Sequence, residues 1–197
     1  MLETMRFASL LAVYLVAHTA VAHAHIAMTF PTPRTVDQKA GPCGATGSTR
    51  GTKISTFRPG ETITIEWDET VDHPGHYRIA FDNDGNDVFQ NPSRPDDNFP
   101  STLANQIVDR AGGHYTQQIT LPDMTCNNCT LQLVQVMTTA VPYNSFYYQC
   151  ADIVLSGDAE PTPPPDTAGG CATGPSAGLA AGLAALGLVR RRRRRRA

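Results

Sequence analysis

The residue in this chain best suited to chemistry is His25, because the segment before it has the features of a cleavable leader. A short stretch containing one arginine is followed by a mostly apolar run, 7–21, and Ala22-His23-Ala24 then forms an A-x-A cleavage site. Cleavage after Ala24 would make His25 the N-terminal residue. An N-terminal histidine offers its free amine and its imidazole Nδ1, which together chelate one metal ion in a ring that an internal histidine cannot form.

A second histidine is expected to complete this site as a third nitrogen ligand. His73 and, three residues later, His76 follow a strand-like segment that ends at Trp67, and both are candidates for this ligand. A planar arrangement of nitrogen donors favours Cu(II), so we expect copper as the cofactor. Cleavage after Ala20-Val21-Ala22 would instead expose His23-Ala24-His25, which binds Cu(II) or Ni(II) in a closed square plane that is poorly suited to O2 chemistry.

Five cysteines follow the leader, and an exported chain is expected to use them in disulfides. Cys43, Cys126, Cys129 and Cys150 allow three pairings, and sequence alone does not choose between them. We favour a short disulfide between Cys126 and Cys129, with Cys43 and Cys150 as the long-range pair. Zinc binding at Cys126-Asn-Asn-Cys129 is disfavoured because no second C-x-x-C or spaced histidine pair accompanies it.

The segments that must position these residues alternate polar and apolar side chains, which predicts β-strands. Ile63, Ile65 and Trp67 would share one face of a strand, and further strand patterns cover 77–81, 115–121, 130–137 and 152–155. Turn residues separate these segments, and no segment predicts a helix of three turns. The pattern predicts an all-β domain, an immunoglobulin- or fibronectin-like β-sandwich with long loops, of which the polar segment 87–105 is the longest.

Composition divides the chain into four parts. These are a leader, 1–24, the β-sandwich domain, 25–158, a proline-rich linker, 159–170, and a C-terminal segment, 171–197, which has Cys171, a short apolar stretch and seven arginines. The C-terminal segment is expected to act as a membrane anchor or a sorting signal. Between the leader and this segment, eight Lys and Arg oppose 17 Asp and Glu, a charge that argues against nucleic acid or anionic lipid as a partner of the domain.

Three stretches that are far apart in the chain together resemble the lytic polysaccharide monooxygenases and their copper-binding relatives. They are His25-Ile-Ala-Met-Thr-Phe-Pro31 with Pro33-Arg34, the segment Trp67 to His73, and Tyr147-Tyr-Gln-Cys150-Ala. Mature members of that family begin with histidine, carry a second copper histidine past a Trp-bearing strand, and have an aromatic residue at the axial copper position. The resemblance spans residues 25–155 and implies a copper site made of His25, His73 and Tyr147, which would also be the catalytic residues.

The resemblance implies a monomeric, secreted or surface-attached bacterial enzyme that uses copper and an external electron donor to oxidise a polysaccharide such as chitin or cellulose. Phe89, Phe99, Tyr77 and Tyr143 are candidate aromatic contacts for such a substrate. Gly41-Pro-Cys-Gly44 also resembles the copper-acquisition relatives, so the alternative is a non-enzymatic copper-binding protein. The order of Cys171, apolar stretch and arginine cluster resembles the C-terminal sorting signal of myxobacterial exported proteins, which implies attachment to the cell surface or outer membrane after processing.

Overall fold

The computed structural model describes residues 25–163, which form eight β-strands and no helix. The strands are β1 (Ile26–Phe30), β2 (Ile54–Phe57), β3 (Thr62–Glu69), β4 (Gly75–Asp82), β5 (Thr102–Val108), β6 (Gly113–Thr120), β7 (Cys126–Met137) and β8 (Phe146–Leu155). No helix long and apolar enough to cross a membrane is found in this part of the chain. The leader, 1–24, most of the linker, and the C-terminal segment with Cys171 lie outside the described residues.

The strands form two sheets, which confirms the predicted all-β sandwich. One sheet has three strands in the order β1-β3-β6, and the other has five in the order β2-β8-β7-β4-β5. All pairings are antiparallel except that of β2 with β8, which is parallel. Both edge strands of the three-stranded sheet begin beside Glu69, the last residue of β3. β1 begins there directly after His25, and β6 begins there at Gly113.

The core lies between the two sheets and follows the alternation seen in the sequence. Ile63, Ile65 and Trp67 point inward from β3, and Tyr77 and Ile79 point inward from β4 in the other sheet. Burying these large side chains removes apolar surface from water, the main favourable term in folding. A second, smaller core lies on the outer face of the five-stranded sheet and contains Val134, Val136, Tyr143 and Tyr148.

Three of the eight strands, β1, β2 and β5, were not among those predicted from alternation in the sequence. Thr102–Val108 forms β5, so the long polar loop ends before Thr102 and does not continue to residue 105 as predicted. β5 is an edge strand that is only partly buried, and Gln106 has a positive φ of 51°, so its side chains do not alternate regularly. β2 is four residues long, and only Phe57 in it is buried. Its alternation of polar and apolar residues is therefore too short to predict a strand.

Two disulfides link the described cysteines, Cys43 with Cys150 and Cys126 with Cys129. These are the pairs that the sequence favoured among the three possible pairings. The first fixes the segment before β2 to β8, and the second spans the first residues of β7, where the register of β7 with β8 shifts. Both cysteine pairs are therefore used structurally, and neither is free to bind zinc.

The two ends of the described chain lie at opposite ends of β3. At one end, the N–H of Thr70 donates to the carbonyl oxygen of His25 at 3.1 Å. At the other end, the N–H of Thr162 donates to a carboxylate oxygen of Glu61 at 2.7 Å. Since β3 has eight residues, the two ends are separated by roughly 25 Å. Contacts with the sandwich continue to Thr162, four residues beyond the domain end at 158 that composition suggested.

Candidate metal centre

His25 is held at the edge of the three-stranded sheet by the strand that follows it. Ile26 is fully buried and lies opposite Glu69 in the register of β1 with β3. The alternation of β1 places Ile26 and Met28 in the core, and the hydrogen bond from Thr70 fixes the carbonyl group of His25. The position of the candidate ligand therefore follows from the packing of the residue next to it.

The structure brings together the three residues that the sequence assigned to the site. The rings of His25 and His73 are stacked, with centroids 4.5 Å apart and an angle of 11° between the planes. Tyr147 also stacks on His25, with centroids 3.5 Å apart. His25 directly precedes β1, His73 lies in the loop between β3 and β4, and Tyr147 lies in β8, the last strand. Only folding could place them in contact.

His76, the alternative ligand, lies elsewhere. Its side chain is 9% exposed and packs against Tyr143, with ring centroids 5.8 Å apart. It belongs to β4, where the inward-facing neighbour is Tyr77, so His76 points to the outer face of the five-stranded sheet. The geometry therefore favours His73 over His76 as the partner of His25.

The nitrogen atoms of His25 suit a metal ion. Its Nδ1 is buried and has no hydrogen-bond partner among the described residues, which leaves a lone pair or a proton unsatisfied. Burial, followed by the nearby His73 and Lys39, lowers the pKa of His25 to about 4, so the ring is neutral and able to act as a ligand near pH 7. The residues present therefore fit copper, although the face-to-face rings would have to turn before both could direct a nitrogen at one ion.

The main-chain nitrogen of His25 would be an amine only if the chain were cleaved after Ala24. With Ala24 attached, it is a peptide nitrogen, and the backbone at His25 has a φ of 67°. This φ lies in the left-handed region that non-glycine residues rarely adopt. Because φ is measured relative to the carbonyl carbon of Ala24, cleavage of the Ala24–His25 peptide bond would remove this restraint and would supply the third nitrogen donor.

Lys39 lies at the rim of the site, over the ring of Tyr147. Its Nζ is 4.0 Å from the ring centroid, and it donates to Oγ of Ser145 at 3.4 Å. This is a cation–π contact at an exposed position. Ser145 thus interacts with a side chain at the rim of the site.

A buried carboxylate lies behind the histidines, and sequence reasoning missed it. Glu69 is 6% exposed, and its carboxylate accepts hydrogen bonds from Nε2 of Gln135 at 2.9 Å and from the hydroxyl of Tyr115 at 3.0 Å. Gln135 is fully buried and lies opposite Tyr147 in the register of β7 with β8. A signal was present, since Glu69 continues the buried alternation of positions 63, 65 and 67.

Two further carboxylates lie close to Glu69. Oxygen atoms of Glu69, Asp72 and Asp109 all lie within 4.8 Å of one another. Among residues 25–163, none of the three forms an ion pair with lysine or arginine. Because Asp72 directly precedes His73, this acidic group places negative charge beside the candidate ligand, and negative charge attracts cations.

A protein-family model described as a BIM1-like copper acquisition factor matches residues 23–174. The chain belongs to this BIM1-like family. No curated protein and no solved structure matches it. The match covers His25, His73 and Tyr147 and supports the involvement of copper. It also agrees with the broader part of the resemblance, because BIM1-like domains are related to the monooxygenase-like copper proteins.

The aromatic residues of the BIM1-like domain do not form an exposed face. Tyr77 and Tyr143 are buried, and the ring of Phe99 packs under the guanidinium group of Arg78 at 4.6 Å. The large apolar side chains that are exposed among the described residues are aliphatic: Val36, Ile54, Val71, Val88, Val108, Met124 and Val141. Two of the four aromatic residues suggested from sequence as sugar contacts therefore belong to cores.

Proposed function

We propose that this protein binds copper outside the cell through His25 and His73 and serves copper acquisition. The observation that carries the proposal is the stacking of His73 and Tyr147 on His25, which unites three segments distant in sequence. The family match supports copper as the metal. In this proposal, copper is the cargo, and Tyr147 packs beside its ligands.

The residues around the histidines are suited to attracting and holding a cation. The carboxylates of Glu69, Asp72 and Asp109 provide negative charge beside His73. After cleavage, His25 supplies an amine and a neutral ring nitrogen, and nitrogen donors suit copper. Metal binding requires these nitrogens to be deprotonated, so copper affinity should fall in acid.

Export and surface attachment are part of the proposal. Two disulfides in a chain of this size are typical of oxidising compartments. The A-x-A site before His25 is cleaved only when the chain is exported, and that cleavage would form the amine of His25. We propose a secreted or surface-attached monomer, with any membrane contact made through the C-terminal segment.

Oxidative cleavage of a polysaccharide is the second candidate function. It is favoured by the buried Glu69–Gln135 pair, which places hydrogen-bonding groups next to the strand position of Tyr147. Such groups can orient a small oxygen-containing ligand. The exposed apolar surface of the described residues is aliphatic, and thus offers no broad aromatic surface for a sugar polymer.

Copper titration of the secreted protein tests the shared part of both candidates. The protein is first shown by intact mass to begin at His25, and one Cu(II) is expected to bind per chain. His25→Ala and His73→Ala should each weaken binding by at least the 10–100-fold seen when supporting residues of metal sites are removed. His114→Ala is the matched control, because His114 is exposed and pairs with Asp68. Copper binding that survives both ligand substitutions would contradict the proposal.

Two assays separate the candidates. A strain that lacks the protein should grow poorly only when copper is limiting, and wild type but not His73→Ala should restore growth. The copper-loaded protein should release no oxidised oligosaccharides from chitin or cellulose with reductant and O2 or H2O2. Release of such products that His73→Ala abolishes would favour the enzyme over the acquisition protein.

A further inference from the structure

The outer edge of β1 is held by side chains instead of a neighbouring strand. β1 pairs with β3 on one side only, because it is the edge strand of the three-stranded sheet. In an antiparallel edge strand, alternate residues direct both main-chain polar groups away from the partner. In β1 these residues include Ile26 and Met28, and both are engaged by glutamine side chains.

Gln38 bonds both main-chain groups of Ile26. Its Oε1 accepts from the N–H of Ile26 at 3.0 Å, and its Nε2 donates to the carbonyl oxygen of Ile26. A carboxamide has the same donor and acceptor as a peptide unit, so Gln38 occupies the place of a missing strand residue. The side chain is 6% exposed, which shields these bonds from water.

Gln38 is itself fixed to the strand that carries Tyr147. Its carbonyl oxygen accepts from the N–H of Tyr148 at 2.7 Å. Just beyond it, Ala40 and Gly44 form a backbone bridge, and the Cys43–Cys150 disulfide ties this segment to β8. The clamp on Ile26 therefore connects the start of β1 to the second sheet at the position of the candidate site.

This clamp matters most after the leader has been removed. A new N-terminal residue is expected to fray unless its neighbours are tied down. The main chain of His25 would then be held only through its own carbonyl group and through Ile26, while its ring keeps the contacts with His73 and Tyr147. A chelating residue whose main chain moves binds metal less tightly because binding must order it. The ordering of the N-terminal ligand thus depends on the residue that follows it.

We propose that Gln38 is a positioning residue that clamps Ile26 and thereby keeps the nitrogens of a mature, N-terminal His25 within reach of His73. The inference rests on the proposed copper-binding function, but the clamp itself exists without metal. Gln38 touches neither His25 nor His73 in any of the described hydrogen bonds, so its effect on the metal would be indirect.

The test compares Gln38→Leu with Gln149→Leu in the protein cleaved before His25. Gln149 is the matched control, since its Oε1 accepts from the N–H of Met28 at 2.5 Å, two residues further along the same edge. Gln38→Leu is expected to lower Cu(II) affinity by about 10-fold or more and to broaden the Cu(II) electron paramagnetic resonance spectrum. Gln149→Leu should leave both close to wild type, even if it lowers the melting temperature.

A conservative variant and a metal-free measurement complete the experiment. Gln38→Glu keeps an acceptor for the N–H of Ile26 and should retain part of the affinity. In the metal-free protein, the Ile26 amide should exchange with solvent at least about 10-fold faster in Gln38→Leu than in wild type. Unchanged exchange, unchanged affinity, or an equal loss of affinity in Gln149→Leu would each overturn the inference. If wild type binds no copper, the proposed function fails, and the exchange rates alone decide whether Gln38 orders the start of β1.

Discussion

His25 and Tyr147 lie face to face, with ring centroids 3.5 Å apart and 12° between the ring planes. His25 precedes β1 of the three-stranded sheet, whereas Tyr147 belongs to β8 of the five-stranded sheet. The contact therefore joins the two layers of the sandwich at the candidate site. Among the described residues, the hydroxyl of Tyr147 has no hydrogen-bond partner, so the interaction is one of ring surfaces.

We expect Tyr147→Phe to retain wild-type copper affinity and Tyr147→Ala to reduce it. An aromatic pair contributes about 0.5–1.5 kcal/mol beyond its buried area, which corresponds to a loss of roughly 2- to 13-fold. Competitive titration with a chelator of known affinity would measure this difference. Equal and large losses in both variants would show that the hydroxyl, and not the ring, supports the metal.

Removing the buried guanidinium of Arg34 should destabilise the fold. Arg34 bonds Asp152 at 2.6 Å and Asp87 at 2.7 Å, and the side chain of Asp152 is fully buried. Arg34→Ala removes the main positive partner of the buried Asp152 carboxylate. Breaking a buried ion pair in this way typically lowers the unfolding free energy by about 3–5 kcal/mol. Denaturant unfolding would measure it, with the exposed Arg94→Ala as the control. A loss below about 1 kcal/mol would mean that water or Arg50 replaces Arg34 as the partner of Asp152.

The two disulfides should contribute unequally to stability. The chain-entropy model predicts about 4.7 kcal/mol for a loop of 100 residues and about 2 kcal/mol for a loop of a few residues. Cys43 and Cys150 are 107 residues apart, whereas Cys126 and Cys129 are separated by three. Replacing the first pair by serine should therefore lower the melting temperature more than replacing the second. The reverse order would show that strain or residual unfolded structure outweighs loop length.

The sequence predicted the fold because strands leave local patterns, whereas His73 and Tyr147 were assigned through the family resemblance. Ile63, Ile65 and Trp67 alternate within one strand, and their common burial follows from the two-residue period of a strand. His25 and His73 are unusual through their positions, one after a cleavage site and one after a Trp-bearing strand. The ring contacts that now support these assignments could not be derived from spacing.

Buried polar residues were harder to predict. Glu69, Gln135 and Gln38 are of residue types that usually lie at the surface. Only the tertiary contacts show that each of them is buried and hydrogen-bonded. Gln38 is the clearest case, because it lies in a loop and its partner Ile26 precedes it by 12 residues. No periodicity connects a loop amide to the free edge of a strand.

The stability of the metal-free protein should fall in acid, in part because of His76. Burial, followed by the charge of Arg78, lowers the pKa of His76 below its ordinary value of 6.5. Below pH 6.5, the unfolded chain therefore binds a proton that the folded protein resists, so the unfolding free energy decreases as the pH falls toward the folded pKa. A single proton gives a slope of at most about 1.4 kcal/mol per pH unit.

His76→Leu should flatten this part of the pH profile while leaving stability above pH 7 largely intact. His25 acts in the same direction, because its pKa is also lowered, so the difference between wild type and His76→Leu is the informative quantity. Denaturant unfolding from pH 7.5 to 5 would measure it. Parallel profiles for the two proteins would show that His76 is hydrated in the folded state.

The separation of the two ends of the described residues along β3 bears on how this protein can be tagged. His25 lies beside Thr70 at one end, and Thr162 is bound to Glu61 at the other. A purification tag or a solid support attached after residue 163 would begin roughly 25 Å from His25, at the other end of β3. If the copper-binding chain begins at His25, as proposed, a tag retained in front of it would replace the amine by a peptide nitrogen, so such a preparation would test a different molecule.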